Sequence, residues 1–576
     1  MAKISKTPDN VFAIPKGAVV TKNGYVYVNI SNYYIPAKDG KKGYTSHEKK
    51  CVGVNIDGKT MYANDAYFVI YRKEDLPPPP EKSDRIRVGI KSICDRISDE
   101  FKLKELLEET FGEEDSALIM DMAIYMLVSG SGCFQHFPGW AYDQLLYSES
   151  VRSDSFISNF LENNLSASKI KKFTQDWAKA NMENGEDVFL CYDSTNVNSQ
   201  AQGVFLVEKG YAKDDRTLDQ VNSDYLIRQK DGLPLTFMTF PGSVVDIAEA
   251  EQMIKFMKDA SGKSPAGITV VADRGYISEA NVNDLINNGL SYLLMLKECS
   301  SKRKILEQYA DEVRDHHKYF LSDRGVFAGT FKSKLFSSAS PDNWFHVIWD
   351  PSKESDARKS FMHSLENDKA RIQKHIDKKS LMSLHEIKLL QRKFNIEYQK
   401  AENIDEEQNN EISAFDYQYQ ITSFSDNDAL IDEQMKRCGF YVLVSLKEMT
   451  ANKALDGYQK RDCVEKVFRS LKSSLGMSKI GCHTDDRIIG KSLIWFVASI
   501  FRTVIFEKTS ALRKSDKKNF TMTSVIMQLN EIIADKDLNQ NTYARRYQFT
   551  KRQKEILNSC GVEQTSIDDL ISGMRF

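Results

Sequence analysis

Cysteine, proline and long apolar runs are scarce or scattered in this chain of 576 residues. The nine cysteines are odd in number and never spaced as Cys-x-x-Cys, which argues against a disulfide framework and against a zinc site. The longest apolar run, Ser492 to Phe501, is far shorter than the ~18–20 residues that span a bilayer. Met1 to Asn10 contains no apolar signal segment. We therefore expect reduced cysteines, no membrane partner and a cytoplasmic location.

An excess of charge of either sign is also missing, because 79 Lys and Arg oppose 81 Asp and Glu. The length is several times the ~100–200 residues of one domain, so we expect several modules. Basic residues concentrate near both ends, with nine lysines in residues 1–50 and a second cluster within 545–554. Such clusters permit contact with nucleic acid, although either cluster taken alone is more often an ordinary solvated surface.

Changes in periodicity divide the chain into regions. Alternation from Tyr25 to Ile30 indicates β-strands, and the run Pro77 to Pro80 indicates a stiff spacer. The predicted regions are a β-rich N-terminal module with possible DNA-binding activity (1–76), a Pro-rich linker (77–87), a helical region (88–182), the first part of an α/β core (183–298), an interrupting block (299–455), the second part of the core with its helix (456–510), and a helical, basic C-terminal region (511–576).

Within 183–298 the pattern predicts three strands, a helix, a strand, a helix and a strand, which is a mixed α/β layout. The predicted elements are strands at Asp187–Asp193, Val204–Val207 and Leu235–Phe240, a helix at 246–260, a strand at Ile268–Asp273, a helix at 279–287 and a strand at Leu290–Leu296.

Two aspartates, Asp193 and Asp273, end the first and fourth predicted strands, where α/β sheets often place functional groups. A stretch predicted as one helix, 458–475, then places four polar residues in a sector only ~60° wide, next to its apolar face. These four are Tyr458, Arg461, Glu465 and Lys472. Both observations also have a purely structural explanation. The two aspartates could be turn or helix caps, and the four polar residues could belong to an ordinary amphipathic helix with an i,i+4 ion pair.

The spacing of those four residues resembles the YREK signature of bacterial insertion-sequence transposases of the DDE type, in the insertion-sequence family four group. Tyr192–Thr195 and Ala272–Gly275 look like the first two catalytic segments of that family. The resemblance implies an α/β, RNase H-like catalytic core with 299–455 as a large insertion before the catalytic helix. It also implies that Asp193, Asp273 and Glu465 are the catalytic and metal-binding residues.

Three carboxylates without His or Cys suit Mg²⁺ or Mn²⁺, and a pair of such ions can catalyse phosphodiester chemistry. The resemblance implies cut-and-paste transposition through a hairpin intermediate, with double-stranded DNA as partner at the terminal inverted repeats and the target, and a homodimer at synapsis. Tyr458, Arg461 and Lys472 would bind DNA phosphates, and Trp344 of the insertion is a candidate for stacking on a displaced base.

Other readings compete with a transposase. A metal-dependent nuclease on the same fold would not need to hold a cleaved end, and a domesticated DNA-binding protein would not need all three acids. ATP is not expected, because Gly262-Lys263-Ser264 and Gly490-Lys491-Ser492 both lack the earlier glycine of a phosphate-binding loop. The expected location is the bacterial cytoplasm, on the nucleoid when DNA is bound.

Overall fold

The computed structural model describes most of the chain. The described residues are 4, 6–35, 44–71, 83–182, 188–210, 217–244, 246–261, 267–276, 278–336, 341–400, 417–537 and 542–574. The proline run at 77–80 and the tripeptide Gly262-Lys263-Ser264 lie outside these residues.

The N-terminal region forms a five-stranded antiparallel sheet in the order β1-β5-β4-β3-β2. Its elements are β1 (Val11–Ala13), β2 (Val19–Val20), β3 (Tyr25–Ile35), β4 (Tyr44–Asn55), β5 (Thr60–Ala63) and α1 (Asp65–Tyr71). Val26, Val28, Val52 and Met61 fill a small core beneath Tyr67 of α1. The alternation seen in the sequence thus corresponds to one buried and one open face of the sheet.

A helical region follows a short strand that lies inside the range predicted as linker. The elements are β6 (Arg85–Arg87), α2 (Gly89–Phe101), α3 (Leu103–Phe111), α4 (Glu113–Ser129), α5 (Phe137–Ala141), α6 (Asp154–Asn163) and α7 (Ala167–Asn181). Eleven of the residues of α4 are buried, so this helix is enclosed on all sides by its neighbours.

The central sheet begins after this helical region. Its elements up to residue 295 are β7 (Val188–Ser199), β8 (Asp219–Arg228), β9 (Pro234–Pro241), α8 (Asp246–Ser261), β10 (Ile268–Ala272), α9 (Glu279–Asn287) and β11 (Ser291–Met295). β7 pairs in parallel with β10 and β10 with β11, whereas β8 and β9 are antiparallel neighbours on the other side of β7.

Two details correct the sequence-based expectation. Val204–Val207 is not a strand, and the second strand is the polar segment Asp219–Arg228. Asp193 does not end its strand: β7 continues to Ser199 along β8, while its pairing with β10 stops at Tyr192.

Residues 299–455 divide into two parts. The elements are α10 (Ser300–Asp315), β12 (Phe320–Leu321), β13 (Val326–Lys334), β14 (Asp342–Trp349), α11 (Pro351–Asp377), β15 (Met382–Ser383), α12 (Leu384–Leu390), β16 (Phe394–Lys400), β17 (Tyr417–Asp426), α13 (Asp428–Lys436), β18 (Phe440–Ser445) and the start of α14 (Ala451–Gln459). Four of these strands extend the central sheet, whose order is β12-β13-β14-β18-β11-β10-β7-β8-β9. The remainder, residues 351–436, is a lobe with its own core around Leu365, Ile372 and Phe394.

The C-terminal part is not wholly helical. Its elements are α15 (Asp462–Ser474), α16 (Asp485–Lys508), α17 (Ser510–Ser515), α18 (Met522–Asn530), β19 (Ile533–Asp537), β20 (Thr542–Arg545), α19 (Lys551–Ser559) and α20 (Gln564–Gly573). β19 pairs with both β20 and β6, so a small sheet joins the predicted linker to the predicted helical C-terminal region.

Helix α16 is the hydrophobic centre of this assembly. By length and composition α16 could cross a membrane, and so could α4 and α5 if the bent pair is taken as one span. However, 83% of the most apolar stretch of α16 is buried inside the protein. The tripeptide Gly490-Lys491-Ser492 lies within this helix, and the Lys491 ammonium donates to the carbonyl of Ile480 at 2.6 Å. These residues therefore do not form a loop that could cradle a phosphate.

Candidate active site

Two parallel strands bring the first two carboxylates side by side. Tyr192 of β7 is paired with Ala272 of β10, so the next residues, Asp193 and Asp273, lie on neighbouring strands about 4.8 Å apart. Asp193 accepts a hydrogen bond from the backbone N–H of Ser194 at 2.9 Å. Asp273 accepts one from the N–H of Arg274 at 2.7 Å. Because β10 stops at Ala272, Asp273 lies beyond the end of its strand, whereas Asp193 stays within β7 with its side chain 17% exposed.

The third carboxylate, Glu465, comes from α15, which packs on the same sheet. Val464, Val467 and Leu471 are the buried face of this helix, and the ring of Phe468 meets Tyr225 of β8 edge-on at 5.7 Å. Glu465 lies beside this buried face and its side chain remains 53% exposed. The apolar stripe of α15 thus fixes which way Glu465 faces.

The helix predicted over 458–475 is broken at Lys460 and Arg461. α14 ends at Gln459 and α15 begins at Asp462. Across the break the N–H of Arg461 donates to the carbonyl of Tyr458, three residues back, as in a tightened turn. No proline or glycine occupies positions 460–461, so the sequence carries no signal for the break.

Arg461 lies between the carboxylates. One guanidinium nitrogen, Nη1, is 3.0 Å from Oδ2 of Asp193, and the other, Nη2, is 3.3 Å from Oε1 of Glu465. Its side chain is only 14% exposed. Burial by itself lowers the pKa of this guanidinium, but the neighbouring Tyr458 and Asp193 raise it overall. The arginine is therefore a fixed positive charge at the centre of the acidic cluster.

Tyr458 links α14 to the second aspartate. Its hydroxyl donates to Oδ1 of Asp273 at 3.4 Å, and its ring lies 5.6 Å from the Arg461 guanidinium. Burial raises the pKa of the phenol to about 12. The hydroxyl thus stays protonated and can donate to an oxygen anion.

Lys472 lies farther along α15, with its ammonium nitrogen 3.5 Å from Oδ1 of Asn196 on β7. Asn196 belongs to a buried polar network: its amide donates to Gln220, and Gln220 donates in turn to Asn222. Sequence reasoning missed this network because each residue alone resembles a loop residue. It holds together the part of β7 and β8 that runs past β10.

The three carboxylates are oxygen ligands of the kind that Mg²⁺ and Mn²⁺ prefer, so the donor set fits a hard divalent ion. Across the described part of the chain, no group of three or more His, Cys, Asp or Glu side chains is close enough to hold a metal ion. Arg461 instead lies between Asp193 and Glu465, where its guanidinium supplies the positive charge. An ion shared by these carboxylates would have to displace it.

A cavity of about 480 Å³, which we call the lobe-side cavity, opens beside Glu465. It is bounded by Tyr458 and Arg461 on one side and by Lys353 and Tyr441 on the other. The Lys353 ammonium lies 5.0 Å from the centre of the Tyr441 ring. Both residues belong to the interrupting block, and neither was singled out from the sequence.

The structure does not bring Trp344 to this cluster. It lies on β14, paired with Ser445, and β14 is four strands from β7, roughly 19 Å at about 4.8 Å per strand. Its half-buried ring has the Lys332 ammonium 5.7 Å away. Packing within the extended sheet accounts for its position.

The chain is similar to a known protein family and to solved structures. Residues 184–501 match the family described as "Transposase DDE domain". The chain belongs to this family. No curated protein matches it. Among solved structures it is similar to a piggyBac transposase in a synaptic complex with hairpin DNA, at 10% identity and a TM-score of 0.34, over 84% of this chain and 82% of that one.

Family membership confirms the coarser part of the sequence-based prediction, a DDE transposase domain, and with it the enzyme class and DNA as the partner. Enzymes of the DDE transposase family generally use divalent metal ions. The matched range begins just before β7 and ends within α16, so it contains all three carboxylates.

Proposed function

We propose that this DDE transposase cuts and pastes an insertion sequence of the YREK group, acting at terminal inverted repeats through an RNase H-like core. The sheet order supports the fold assignment: β9-β8-β7-β10-β11 has three antiparallel strands followed by two parallel ones, with the first and fourth strands adjacent. The strands beyond β11 are then additions made by the insertion.

One observation carries the proposal: three acidic residues from distant parts of the chain are joined through Arg461 and Tyr458. Asp193 and Glu465 are joined by Arg461 although they lie 272 residues apart in sequence, and Tyr458 joins the same group to Asp273. The Arg461–Asp193 pair is largely buried, with side chains 14% and 17% exposed, and taking both charges out of water is costly for stability. A shared task in catalysis explains the convergence.

Asp193, Asp273 and Glu465 would hold two Mg²⁺ or Mn²⁺ ions. When bound, such ions activate a water or a DNA 3′-hydroxyl and stabilise the leaving oxygen of a phosphodiester. Arg461, once released from the carboxylates, and Lys472 would bind phosphates of the cleaved end, while Tyr458 donates a hydrogen bond. These contacts keep the end in place between cleavage, hairpin opening and strand transfer.

The proposed partners are the transposon ends and the target DNA, with two copies of this chain at synapsis and no ATP. The proposed location is the bacterial cytoplasm, at the nucleoid. A stand-alone nuclease and a domesticated DNA-binding protein are the alternatives that the following experiment separates.

The experiment uses a plasmid that carries the DNA flanking the gene on both sides, incubated with the purified protein and Mg²⁺ or Mn²⁺. Wild type should release the flanked segment with hairpin ends and join it to a second plasmid. Each of Asp193→Asn, Asp273→Asn and Glu465→Gln should bind the ends but not cleave, whereas Asp432→Asn, on the exposed face of α13 in the lobe, should behave as wild type.

The outcomes distinguish the alternatives. Cleavage without hairpins or joining would indicate a nuclease, and binding without cleavage would indicate a domesticated DNA-binding protein. Full cleavage by any one of the three variants would show that its carboxylate is not a catalytic residue.

A further inference from the structure

A second, larger cavity of about 740 Å³ lies along the adjacent face of α15, which we call the helix groove. Its floor and walls come from α15, from Arg502 and Phe506 of α16, and from the turn between β8 and β9. Gln459 and Asp462, at the break between α14 and α15, line both this groove and the lobe-side cavity next to Glu465. The two cavities are therefore neighbours across the break.

Arg502 is a charge without a counter-ion. No hydrogen bond or ion pair to its guanidinium occurs among the residues that the structure describes, and its surroundings in the groove include Val467, Phe506 and Met522. Burial lowers its pKa to about 10, so it remains charged at neutral pH. A half-buried guanidinium without a counter-ion is costly, and an anion bound in the groove would compensate its charge.

Ser470 makes the same point independently. Its hydroxyl oxygen is buried and has no hydrogen-bond partner in the structure, and it lines the same groove from α15. A hydroxyl and a guanidinium are both donors, and an oxygen anion can accept from both.

The charges at the rim favour an extended polyanion over a single small one. Lys460 and Arg469 are exposed and, within the described ranges, have no acidic partner. Three acids of the rim, Asp231, Asp456 and Asp462, are already bound to the cations Arg228, Arg324 and Lys466. The fourth, Glu507, is exposed to solvent.

We propose that the helix groove binds the phosphate backbone of a DNA strand that continues from the catalytic site, with Arg502 and Ser470 as phosphate ligands. The proposal rests on the proposed function and adds to it a second DNA-binding site behind the catalytic helix. Because the same helix carries Glu465 on one face and the groove on the next, DNA in the groove would also hold α15 against the sheet.

The test compares Arg502→Leu and Arg502→Lys with Arg513→Leu. Arg513 is a matched control because it lies close by on α17, where it stacks on Phe506 and donates to its carbonyl. A fluorescein-labelled duplex with a single-stranded 3′ overhang is titrated over a range of salt concentrations. We expect Arg502→Leu to weaken binding about tenfold and to lower the salt slope by about one, and the other two variants to keep the wild-type slope.

A second readout separates this role from a structural one. Arg502→Leu should raise the midpoint of thermal unfolding, because it removes an uncompensated charge, while it weakens DNA binding. If wild type binds DNA and Arg502→Leu binds it with the same affinity and salt slope, the groove assignment is wrong but the proposed function is unaffected. If inorganic phosphate stabilises wild type but not Arg502→Leu, and both bind DNA equally well, the groove is a site for a small phosphate compound. That result would overturn the DNA proposal. A wild-type protein that binds no DNA would overturn the proposed function itself.

Discussion

Replacing Arg461 by alanine should destabilise the protein and at the same time make it more responsive to divalent ions. The guanidinium is 14% exposed and lies 3.0 Å from Asp193, whose side chain is 17% exposed. Its second contact, 3.3 Å to Glu465, is to a side chain that is 53% exposed and therefore screened by water. Breaking a buried pair costs about 3–5 kcal/mol and an exposed one at most about 1 kcal/mol. Since neither side chain of the Asp193 pair is fully buried, we expect a loss at the lower end of these costs, about 3 kcal/mol.

A matched control is available on the same helix. Lys466 pairs with Asp462 at 2.7 Å, but both side chains are about half exposed, at 58% and 49%. Lys466→Ala should therefore cost only about 0.3–0.5 kcal/mol, the range of exposed i,i+4 helix pairs. Urea unfolding of both variants, followed by tryptophan fluorescence, measures the difference.

Divalent ions then test the reason for the loss. In Arg461→Ala the carboxylates lack their counter-cation, so Mn²⁺ added without DNA should restore stability and should bind more tightly than it does to wild type, as followed by the electron paramagnetic resonance of free Mn²⁺. Equal losses for the two variants, or an Mn²⁺ affinity no higher than that of wild type, would refute the idea that Arg461 stands in for a cation.

Four further outcomes follow from the structure. Lys472→Ala should lower the salt slope of binding to a cleaved end by about one and impair hairpin opening more than nicking; unchanged values would remove the lysine from the site. Gly457→Ala would place a Cβ 2.9 Å from Cδ2 of Leu293. The resulting overpacking should lower the free energy of unfolding by about 1–3 kcal/mol, and an unchanged free energy of unfolding would contradict this. Trp344→Ala should leave hairpin yield on pre-nicked ends unchanged, and a lower yield would restore it as a stacking residue. Burial lowers the pKa of His346 from 6.5 to about 4. The free energy of unfolding should therefore fall by about 3 kcal/mol as the pH drops from 6.5 to 4. In His346→Gln the free energy of unfolding should depend less steeply on pH over this range.

The carboxylates could be predicted from the sequence because they follow or adjoin strongly patterned elements. β10 is a run of five buried residues that ends just before Asp273, and the apolar stripe of α15 defines the direction of Glu465. Hydrophobic periodicity reports such elements directly. The pairing of β7 with β10 could be inferred only through the family resemblance, since periodicity says nothing about which strands are neighbours.

The missed strand β8 shows where that signal ends. The segment Gln220 to Asp224 is mostly polar but buried, and the amides of Gln220 and Asn222 are satisfied by side chains and by the carbonyls of Gly242 and Val244. A polar strand buried in this way has no apolar alternation to detect. The small sheet of β6, β19 and β20 was missed for a different reason, because β6 lies more than 400 residues before β19 in the chain.

The pairing of β14 with β18 has a consequence for how the chain can change. Trp349 and Phe440 are cross-strand partners, and the N–H of Asp350 donates to the carbonyl of Gly439 at 3.0 Å, so the lobe leaves and re-enters the sheet at a single point. A tight turn could connect the same two strands. The length of the lobe is therefore uncoupled from the register of β18 and from the placement of Glu465 after it. The lobe, and with it the Lys353 wall of the lobe-side cavity, can therefore be lengthened, shortened or exchanged while Asp193, Asp273 and Glu465 keep their geometry.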